Sequence, residues 1–268
     1  MLPFDRLIEL RKLRPLIHCI ANQVSANDCA NVLLAAGASP MMAQAPEEME
    51  EIAAISNATV LNIGTPDKEL FAACRLSGGF AAKNQPVVLD PVGVGATAWR
   101  LQETERLLES FAPAIIRLNL GEARALLHRA GEEQGVDSTA IASPEARMDC
   151  ARALARERGV AVLLSGPEDV VADGTRGCRI PGGSAWMARV TGTGCMLSVL
   201  CGAFAAVEPD MFLAASLASA FWKVCAVKAE NALSSGQGAG AFRCALMDAA
   251  SALEAGEFAR LARAAEAL

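Results

Sequence analysis

The first two thirds of the chain alternate short, uninterrupted apolar runs with longer segments that carry charged residues at helical spacing. The apolar runs are predicted β-strands, each followed by turn residues, at residues 16–20, 59–63, 86–89, 114–118 and 160–164. The longer segments are predicted helices, at residues 27–36, 46–56, 67–83, 121–130 and 144–158. Strands without polar alternation are typical of a parallel sheet that is buried on both faces. The pattern therefore predicts an α/β fold in which helices cover both faces of a central, mostly parallel sheet.

After Val190 the pattern changes, and almost continuous helix is predicted at residues 196–207, 210–233 and 240–255. The glycine- and serine-rich segment 234–240 is either a simple connection between helices, which we favour, or a loop that closes over a nucleotide. No linker or repeat divides the chain. With 268 residues, of which 53% are hydrophobic, we expect one domain that spans residues 1–268.

Charge and cysteine usage argue against several classes of partner. A formal net charge of −6 leaves no basic face for a nucleic acid. The nine cysteines are scattered singly without a Cys-x-x-Cys pair, and their odd number predicts reduced thiols and a cytoplasmic protein. Residues 1–14 are rich in charge and lack the apolar core of a signal peptide. The uncharged run 190–207 is long enough for a membrane span, but its threonines and glycines favour a loop and a buried helix, so no membrane partner is expected.

A glycine-rich turn, Thr191-Gly192-Thr193-Gly194-Cys195, leads directly into the predicted helix 196–207. Unpaired N–H groups and the helix dipole at such a helix start favour an anion, such as a phosphoryl group that is being transferred. Cys195 stands on the first turn, where a thiolate is stabilised. Glycine-rich turns and buried cysteines are common, so the motif taken alone leaves a purely structural role open.

Polar residues follow four of the predicted strands, at the edge where ligands of open parallel sheets bind. They are Asn62 with Gly64, then Asp90, then Arg117 with Asn119 and Glu122, and finally Ser165. Asp90 and Glu122 can hold Mg²⁺ directly or through water, and Arg117 can neutralise phosphate. Each is also an ordinary turn or capping residue when taken singly. Together with the glycine-rich turn they predict phosphoryl transfer, whose catalysis is mostly positioning and charge stabilisation.

Several well-known catalytic motifs are absent from the sequence. No glycine is followed by lysine, which excludes a P-loop, and Gly93 and Gly95 form only an incomplete dinucleotide fingerprint. The two histidines, His18 and His128, are too few for a histidine-based zinc site. No Gly-x-Ser-x-Gly turn is present, so a hydrolase of that type is excluded.

Seven segments of the chain form an ordered series of motifs: residues 15–22 (PLIHCIAN), 37–43 (GASPMMA), 45–48 (APEE), 61–64 (LNIG), 88–93 (VLDPVG), 116–119 (IRLN) and 190–197 (VTGTGCML). Such an ordered series is far more specific than any single motif. Through these segments the chain resembles the hydroxyethylthiazole kinase family of the ribokinase-like superfamily, in family order and over about residues 15–248. The resemblance implies a ribokinase-like three-layer sandwich.

For the reaction, the resemblance implies that the γ-phosphoryl group of ATP is transferred, with Mg²⁺, to the hydroxyl of 4-methyl-5-(2-hydroxyethyl)thiazole in thiamine salvage. Cys195 would take the position where related sugar kinases have an aspartate base. Gly192, Thr193 and Gly194 would form the adjacent anion hole and share the catalytic role. Because a thiol is a poorer general base than a carboxylate, Cys195 is either the base or only a substrate contact.

For the binding residues, the resemblance implies that Arg117 and Ser165 contact ATP, and that Asp90 and Glu122 lie near the phosphates and the metal. The resemblance also implies that Asn22, Met42 and Gly192 line the thiazole site. The resemblance also implies a homotrimer with active sites between neighbouring subunits, so that the Asn22 and Met42 segments act across an interface.

Three positions depart from the family pattern: Leu118 in place of glycine, Ala21 in place of threonine, and Ser165 in place of threonine. Leu118 is expected to bring a bulky side chain into a tight turn near the nucleotide, and Ala21 removes a hydroxyl from the substrate site. Two alternatives therefore stay open at this point. One is a ribokinase-like kinase for another small alcohol, and the other is a catalytically silent protein that binds thiazole or nucleotide.

Overall fold

The structure is a computed structural model that describes residues 2–127 and 143–266. The described residues form the strands β1 (Leu16–Ile20), β2 (Ser39–Met41), β3 (Ala58–Asn62), β4 (Val87–Asp90), β5 (Ile115–Asn119), β6 (Ala161–Ser165), β7 (Asp169–Ala172) and β8 (Gly177–Ile180). They also form the helices α1 (Arg6–Leu13), α2 (Ala26–Ala36), α3 (Met49–Ile55), α4 (Lys68–Ala81), α5 (Ala98–Ser110), α6 (Leu120–Leu127), α7 (Pro144–Arg158), α8 (Thr193–Ala205), α9 (Met211–Asn231), α10 (Ala239–Ala252) and α11 (Ala255–Glu266). Short 3₁₀ turns lie at Pro46–Glu48 and Ala185–Arg189.

The strands form one sheet in the order β2-β1-β3-β4-β5-β6-β7-β8. The first six are parallel, whereas β7 pairs with β6 and β8 pairs with β7 in antiparallel fashion. The register places Asn62 opposite Asp90 and Asn119 opposite Ser165. Polar residues that are far apart in sequence therefore end neighbouring strands at one edge of the sheet.

Two separate hydrophobic cores lie on the two faces of the sheet. Successive strand residues alternate between them, so that Val60 and Ile115 belong to one core while Leu61 and Ile116 belong to the other. Helices α1, α2 and α8–α11 contribute to the first core, and α3–α7 contribute to the second. The predicted α/β fold, with helices on both faces of a mostly parallel sheet, is confirmed as a three-layer sandwich.

All five predicted strands are present, with ends displaced by at most one residue. The sequence analysis missed β2, β7 and β8, because runs of three or four residues give too little pattern to separate from turns. It also missed α1, α5 and α11, although α5 has apolar residues at helical spacing, Leu101, Leu107 and Leu108. Predicted helix 121–130 begins as α6, but residues 128–130, which include His128, lie outside the described residues.

Two predicted helices are divided in the structure. The first, 46–56, consists of the 3₁₀ turn at Pro46–Glu48 followed by α3, and Pro46 stands at the first position as expected for a helix start. The second, 240–255, is interrupted after Ala252, where the chain leaves α10 before α11 begins. Segment 234–240 connects α9 to α10.

The most apolar helices belong to the interior of the fold. Helix α9 is long and apolar enough to cross a membrane, because an 18-residue stretch of it has a mean hydropathy of 1.4. However, 78% of that stretch is buried inside the structure. Helix α8, which follows the glycine-rich turn, has 13 residues and is buried from Met196 to Ala205. Both are therefore core helices that pack on each other and on the sheet.

A pair of adjacent glycines tests the packing of α4. Gly78→Ala is expected to lower the free energy of unfolding by about 1–3 kcal/mol, because the added methyl group would overlap the ring of Phe111. In Gly79→Ala, one position further, the added methyl group would have no atom within 4 Å. This variant is expected to raise the free energy of unfolding by about 0.5–1 kcal/mol. Urea denaturation of the two variants gives the comparison. Equal effects would contradict the close contact between α4 and Phe111.

Candidate active site

A cleft of about 540 Å³ opens at the carboxyl edge of the sheet, beside the start of α8. Its walls include Arg117 and Ser165 from the ends of β5 and β6, Thr193 and Gly194 from the first turn of α8, and Lys223 from α9. Four of the predicted site residues are therefore brought together in one cavity. Segment 234–240 supplies none of the described lining residues, so a simple connection remains the better interpretation of it.

The guanidinium group of Arg117 lies between the strand ends and α8. Its Nη2 donates to Oγ of Ser165 at 2.6 Å, and its Nη1 lies 3.6 Å from Oδ1 of Asp90. A Cβ atom at Gly194 would stand 2.6 Å from the guanidinium, so only glycine allows this approach. Burial by itself lowers the pKa of Arg117, but the nearby carboxylates, Asp90 foremost, raise it overall. Arg117 therefore carries a fixed positive charge at the cleft.

Asp90 is completely buried at the end of β4. Its Oδ2 accepts hydrogen bonds from Nδ2 of Asn62 at 2.6 Å and from Oγ of Ser198 at 2.7 Å. Burial raises the pKa of Asp90, while Arg117 and the two hydrogen bonds act in the opposite direction. Among the described residues, Oδ1 of Asp90 and Nε of Arg117 have no hydrogen-bond partner. One carboxylate oxygen is thus held by two hydrogen bonds, whereas the other faces Arg117 in the ion pair and accepts no hydrogen bond in the described structure.

Glu122 is buried near the start of α6, where it fastens two loops together. Its Oε1 accepts from the backbone N–H of Gly93, and its Oε2 accepts from the backbone N–H of Asn119, both at 2.8 Å. The side chain of Asn119 accepts in return from the N–H of Glu122 at 2.9 Å, which makes a reciprocal cap at the helix start. Both oxygens of Glu122 are therefore used to fix the backbone around the cleft.

Asp90 and Glu122 fit a metal ion that is bound partly by phosphate oxygens better than they fit a metal ion bound by protein ligands alone. Within residues 2–127 and 143–266 no group of three or more metal-ligating side chains is assembled. Mg²⁺ usually keeps several waters and binds through one or two carboxylates together with substrate phosphates. Oδ1 of Asp90 is the oxygen that suits this role, whereas Glu122 contributes charge and a fixed loop.

The glycine-rich turn begins α8 at the wall of the cleft. Gly192 has a φ of 81°, in the left-handed region, and forms the N-cap of the helix. The first N–H groups of a helix have no partner within the helix, so the helix itself does not use those of Thr193, Gly194 and Cys195, the positions predicted for an anion site. Cys195 is partly exposed, and its Sγ accepts a hydrogen bond from Nδ2 of Asn22 at 3.2 Å.

Met42 lies at the same edge, just beyond β2, the outermost strand. Its segment is attached to β1 by two hydrogen bonds, from His18 to the carbonyl of Ala43 at 3.0 Å and from Gln44 to the carbonyl of Ala21 at 3.1 Å. Met42 is partly buried and packs against the core. Met42 thus lies next to the strand that leads to Asn22. This proximity is what a substrate site shared by Met42 and Asn22 would require.

The expectation for Leu118 was wrong. Leu118 lies within β5 rather than in a turn, is completely buried in the core, and pairs with Leu164 of β6. Only its carbonyl reaches the site, where it accepts from Oγ of Ser165 at 3.3 Å. A leucine here therefore fills the core and leaves the cleft unobstructed.

Lys223 is a site residue that the sequence analysis missed. Its Nζ donates to the carbonyls of Gly166 and Pro167 at 2.8 and 2.9 Å, and lies 3.2 Å from Oδ1 of Asp169. Its aliphatic stem packs under Gly183, where a Cβ atom would stand 2.7 Å from Cδ. Lys223 therefore joins two walls of the cleft. A lysine inside the otherwise apolar stretch of α9 was the available signal.

These features define the class to which the protein belongs. The fold matches a ribokinase-like superfamily protein from Enterococcus faecalis V583, with a TM-score of 0.58 at 12% identity over 93% of this chain and 96% of that one. A solved structure described as a hydroxyethylthiazole kinase protein from Pyrococcus horikoshii OT3 is more similar, with a TM-score of 0.84 at 36% identity over 94% of this chain and 93% of that one. The fold is thus ribokinase-like.

The sequence comparisons give the family. The profile of the "Hydroxyethylthiazole kinase family" matches residues 7–256. A Listeria monocytogenes protein named "Hydroxyethylthiazole kinase" is 44% identical over 250 residues, which are 93% of this chain and 92% of that protein. The chain therefore belongs to the hydroxyethylthiazole kinase family, and the predicted resemblance is confirmed.

His18, which holds the Met42 segment, makes stability depend on pH. Burial lowers its pKa from 6.5, so below this pH the unfolded chain binds a proton that the folded protein does not. The free energy of unfolding should therefore fall as the pH drops below 6.5, by at most about 1.4 kcal/mol per pH unit. Denaturation curves at pH 7.5 and 5.5 measure this loss of stability, and His18→Gln should lose less stability between the two pH values than the wild type. Equal pH dependence in both proteins would contradict it.

Proposed function

We propose that the protein transfers the γ-phosphoryl group of ATP to the hydroxyl of 4-methyl-5-(2-hydroxyethyl)thiazole, a step of thiamine salvage. The observation that carries the proposal is the buried pair of Asp90 and Arg117 next to the first turn of α8. This arrangement offers fixed charges and N–H groups where a phosphoryl group would lie, as its transfer requires. The choice of hydroxyethylthiazole as the acceptor alcohol is based on the names of the similar proteins.

The cleft beside Arg117 would hold the nucleotide. Arg117 would neutralise phosphate charge, and Ser165 would keep the guanidinium in place through its hydrogen bond to Nη2. Trp222 and Leu197 give the cleft an apolar part that suits a nucleoside. The N–H groups of the α8 first turn would bind the transferring group on the other side.

Mg²⁺ fits this site as a metal shared between Asp90 and the phosphates, because Oδ1 of Asp90 has no hydrogen-bond partner in the described structure. When bound, such an ion neutralises negative charge on the phosphates. Glu122 would act on the metal through charge or water, since both its oxygens already accept backbone hydrogen bonds. We propose ATP and Mg²⁺ as the cosubstrate and the metal on these grounds.

The acceptor alcohol would lie between Cys195 and the Met42 segment. Gly192 packs closely against Ser25, since a Cβ atom at Gly192 would stand 2.8 Å from Cβ of Ser25. The two residues would close this end of the site. Met42 is an adaptable apolar contact for a sulfur-containing ring. The sulfur of Cys195, on the first turn of α8, would face the hydroxyl group that attacks the phosphorus.

We also propose a cytoplasmic homotrimer whose subunits complete one another's sites. Large apolar side chains on and beside α2 are exposed, including Val24 at 64% and Leu34 at 54%. Val24 lies two residues from Asn22, so a neighbouring subunit that covers it would also approach the substrate end of the site. Light scattering coupled to gel filtration measures the mass, and a monomer would contradict the trimer.

The decisive test of the proposed function is an assay of the purified protein with ATP, Mg²⁺ and hydroxyethylthiazole, in which ADP release is followed and the phosphorylated thiazole is identified by mass. A panel of other small alcohols serves as the comparison. Turnover of another alcohol alone would change the assigned substrate. Nucleotide binding without any product would contradict catalysis.

Cys195→Ala tests the role of the thiol in that assay. If the sulfur takes up the proton of the attacking hydroxyl, kcat should fall by about 100-fold or more, the usual contribution of acid–base catalysis. The matched control is Cys244→Ala, because Cys244 is exposed on α10. A smaller loss would identify Cys195 as a substrate contact, and an unchanged kcat would remove it from the site.

Lys223→Met tests the wall of the nucleotide cleft. The variant loses the hydrogen bonds to Gly166 and Pro167 and leaves Asp169 without its ion pair, so ADP affinity should fall by about tenfold. Lys228→Met is the matched control on the same helix, since Lys228 pairs with Glu257 instead. Isothermal titration calorimetry measures both. Equal affinity in the two variants would exclude a role for Lys223 in holding the cleft.

A further inference from the structure

A chain of four hydrogen bonds connects α8 to the ends of β1, β3 and β4, and the backbone of α8 closes this chain into a ring. Asn22 donates to Cys195 Sγ at 3.2 Å and to Asn62 Oδ1 at 2.9 Å. Asn62 donates to Asp90 Oδ2 at 2.6 Å, and Ser198 donates to the same oxygen at 2.7 Å. Cys195 and Ser198 are three residues apart on α8 and so share one face of the helix. We call these five residues the amide ring.

The orientation of Asn62 in the amide ring is fixed by its neighbours. Its Oδ1 accepts from Nδ2 of Asn22 and from the backbone N–H of Gly64 at 3.0 Å, while its Nδ2 faces the carboxylate of Asp90. A reversed amide would set its oxygen against Asp90 and its N–H group against Gly64. Asn62 is 3% exposed, so water cannot relieve either mismatch.

Asn22 is oriented as firmly as Asn62. Its Oδ1 accepts from the backbone N–H groups of Val24 and Ser25 and from Oγ of Ser25, each at 3.1 Å. Its two N–H bonds therefore point to Asn62 and Cys195. Every hydrogen-bonding group of the Asn22 side chain is used within the protein, so this side chain acts on a substrate through Cys195 rather than by its own hydrogen bond.

We propose that Asn62 is a positioning residue for the proposed phosphoryl transfer, because the amide ring holds Cys195 and Asp90 in one fixed geometry. Cys195 faces the acceptor alcohol and Asp90 faces the phosphate side. The inference rests on the proposed function for its kinetic consequence, while the ring itself can be tested without any substrate. Misplacing either group by about 1 Å would cost on the order of 100-fold in rate.

Asn62→Asp is the sharpest test, because it keeps the shape of the side chain and replaces the N–H group that faces Asp90 with an oxygen. The control is Asn84→Asp, which makes the same charge change on an exposed residue between α4 and β4, at the opposite edge of the sheet. Iodoacetamide labelling of Cys195, followed by peptide mass spectrometry, reports on the ring. Exposed Cys244 provides the internal reference.

In Asn62→Asp we expect labelling of Cys195 to slow by about threefold or more, because negative charge near the sulfur disfavours the reactive thiolate. Labelling of Cys244 should not change. In the kinetic assay kcat should fall by about 100-fold, with KM for ATP changed by less than about threefold. Asn84→Asp should match the wild type in all four measurements.

The outcomes separate the inference from the proposed function. Unchanged labelling of Cys195 in Asn62→Asp would overturn the ring, whatever the kinetics show. Altered labelling with an unchanged kcat would overturn the positioning role. If the wild-type protein has no kinase activity, the labelling result still decides whether the ring exists and only the proposed function fails. Should Asn62→Asp not fold, Asn62→Ser breaks the same contacts without adding charge. Labelling of Cys195 should then change because Asn22 loses its bond to Asn62 Oδ1, and kcat should fall by about tenfold. Unchanged labelling of Cys195 would overturn the ring, and an unchanged kcat would overturn the positioning role.

Discussion

The buried ion pair of Asp90 and Arg117 is the interaction on which the rest of the site depends. Two full charges removed from water are costly unless hydrogen bonds satisfy them. Ser198 and Asn62 supply those bonds to Asp90, and Ser165 supplies one to Arg117. The pair connects adjacent central strands, so its position is set by the register of the sheet and not by mobile loops.

Helix α8 can approach this pair only because its first turn lacks side chains at the critical place. The missing Cβ of Gly194 leaves room for the guanidinium group, and the left-handed Gly192 turns the chain into the helix. The body of α8 is buried, so packing on the sheet fixes the direction of its N-terminus. A core helix and a charged pair thereby form one rigid unit, of the kind that favours an anion.

The strand pattern of the sequence predicted the parallel part of the fold because a strand buried on both faces leaves an unbroken apolar run. It could not reveal β7 and β8, which turn the sheet antiparallel after β6 and are only four residues long. Leu118 shows the same limit at one residue. Its place in a family motif suggested a turn, whereas the pairing of β5 with β6 directs it into the core.

By itself the sequence determined the α/β class, the edge of the sheet that carries the polar residues, and the motif series that identifies the family. Local pattern and composition carry this information because apolar periodicity and glycine placement act over a few residues. The tertiary structure alone decided that Glu122 fastens loops, that Lys223 joins two walls of the cleft, and that Asn22 and Asn62 connect Cys195 to Asp90. These contacts join residues far apart in the chain, and their geometry exists only once the strands are in register.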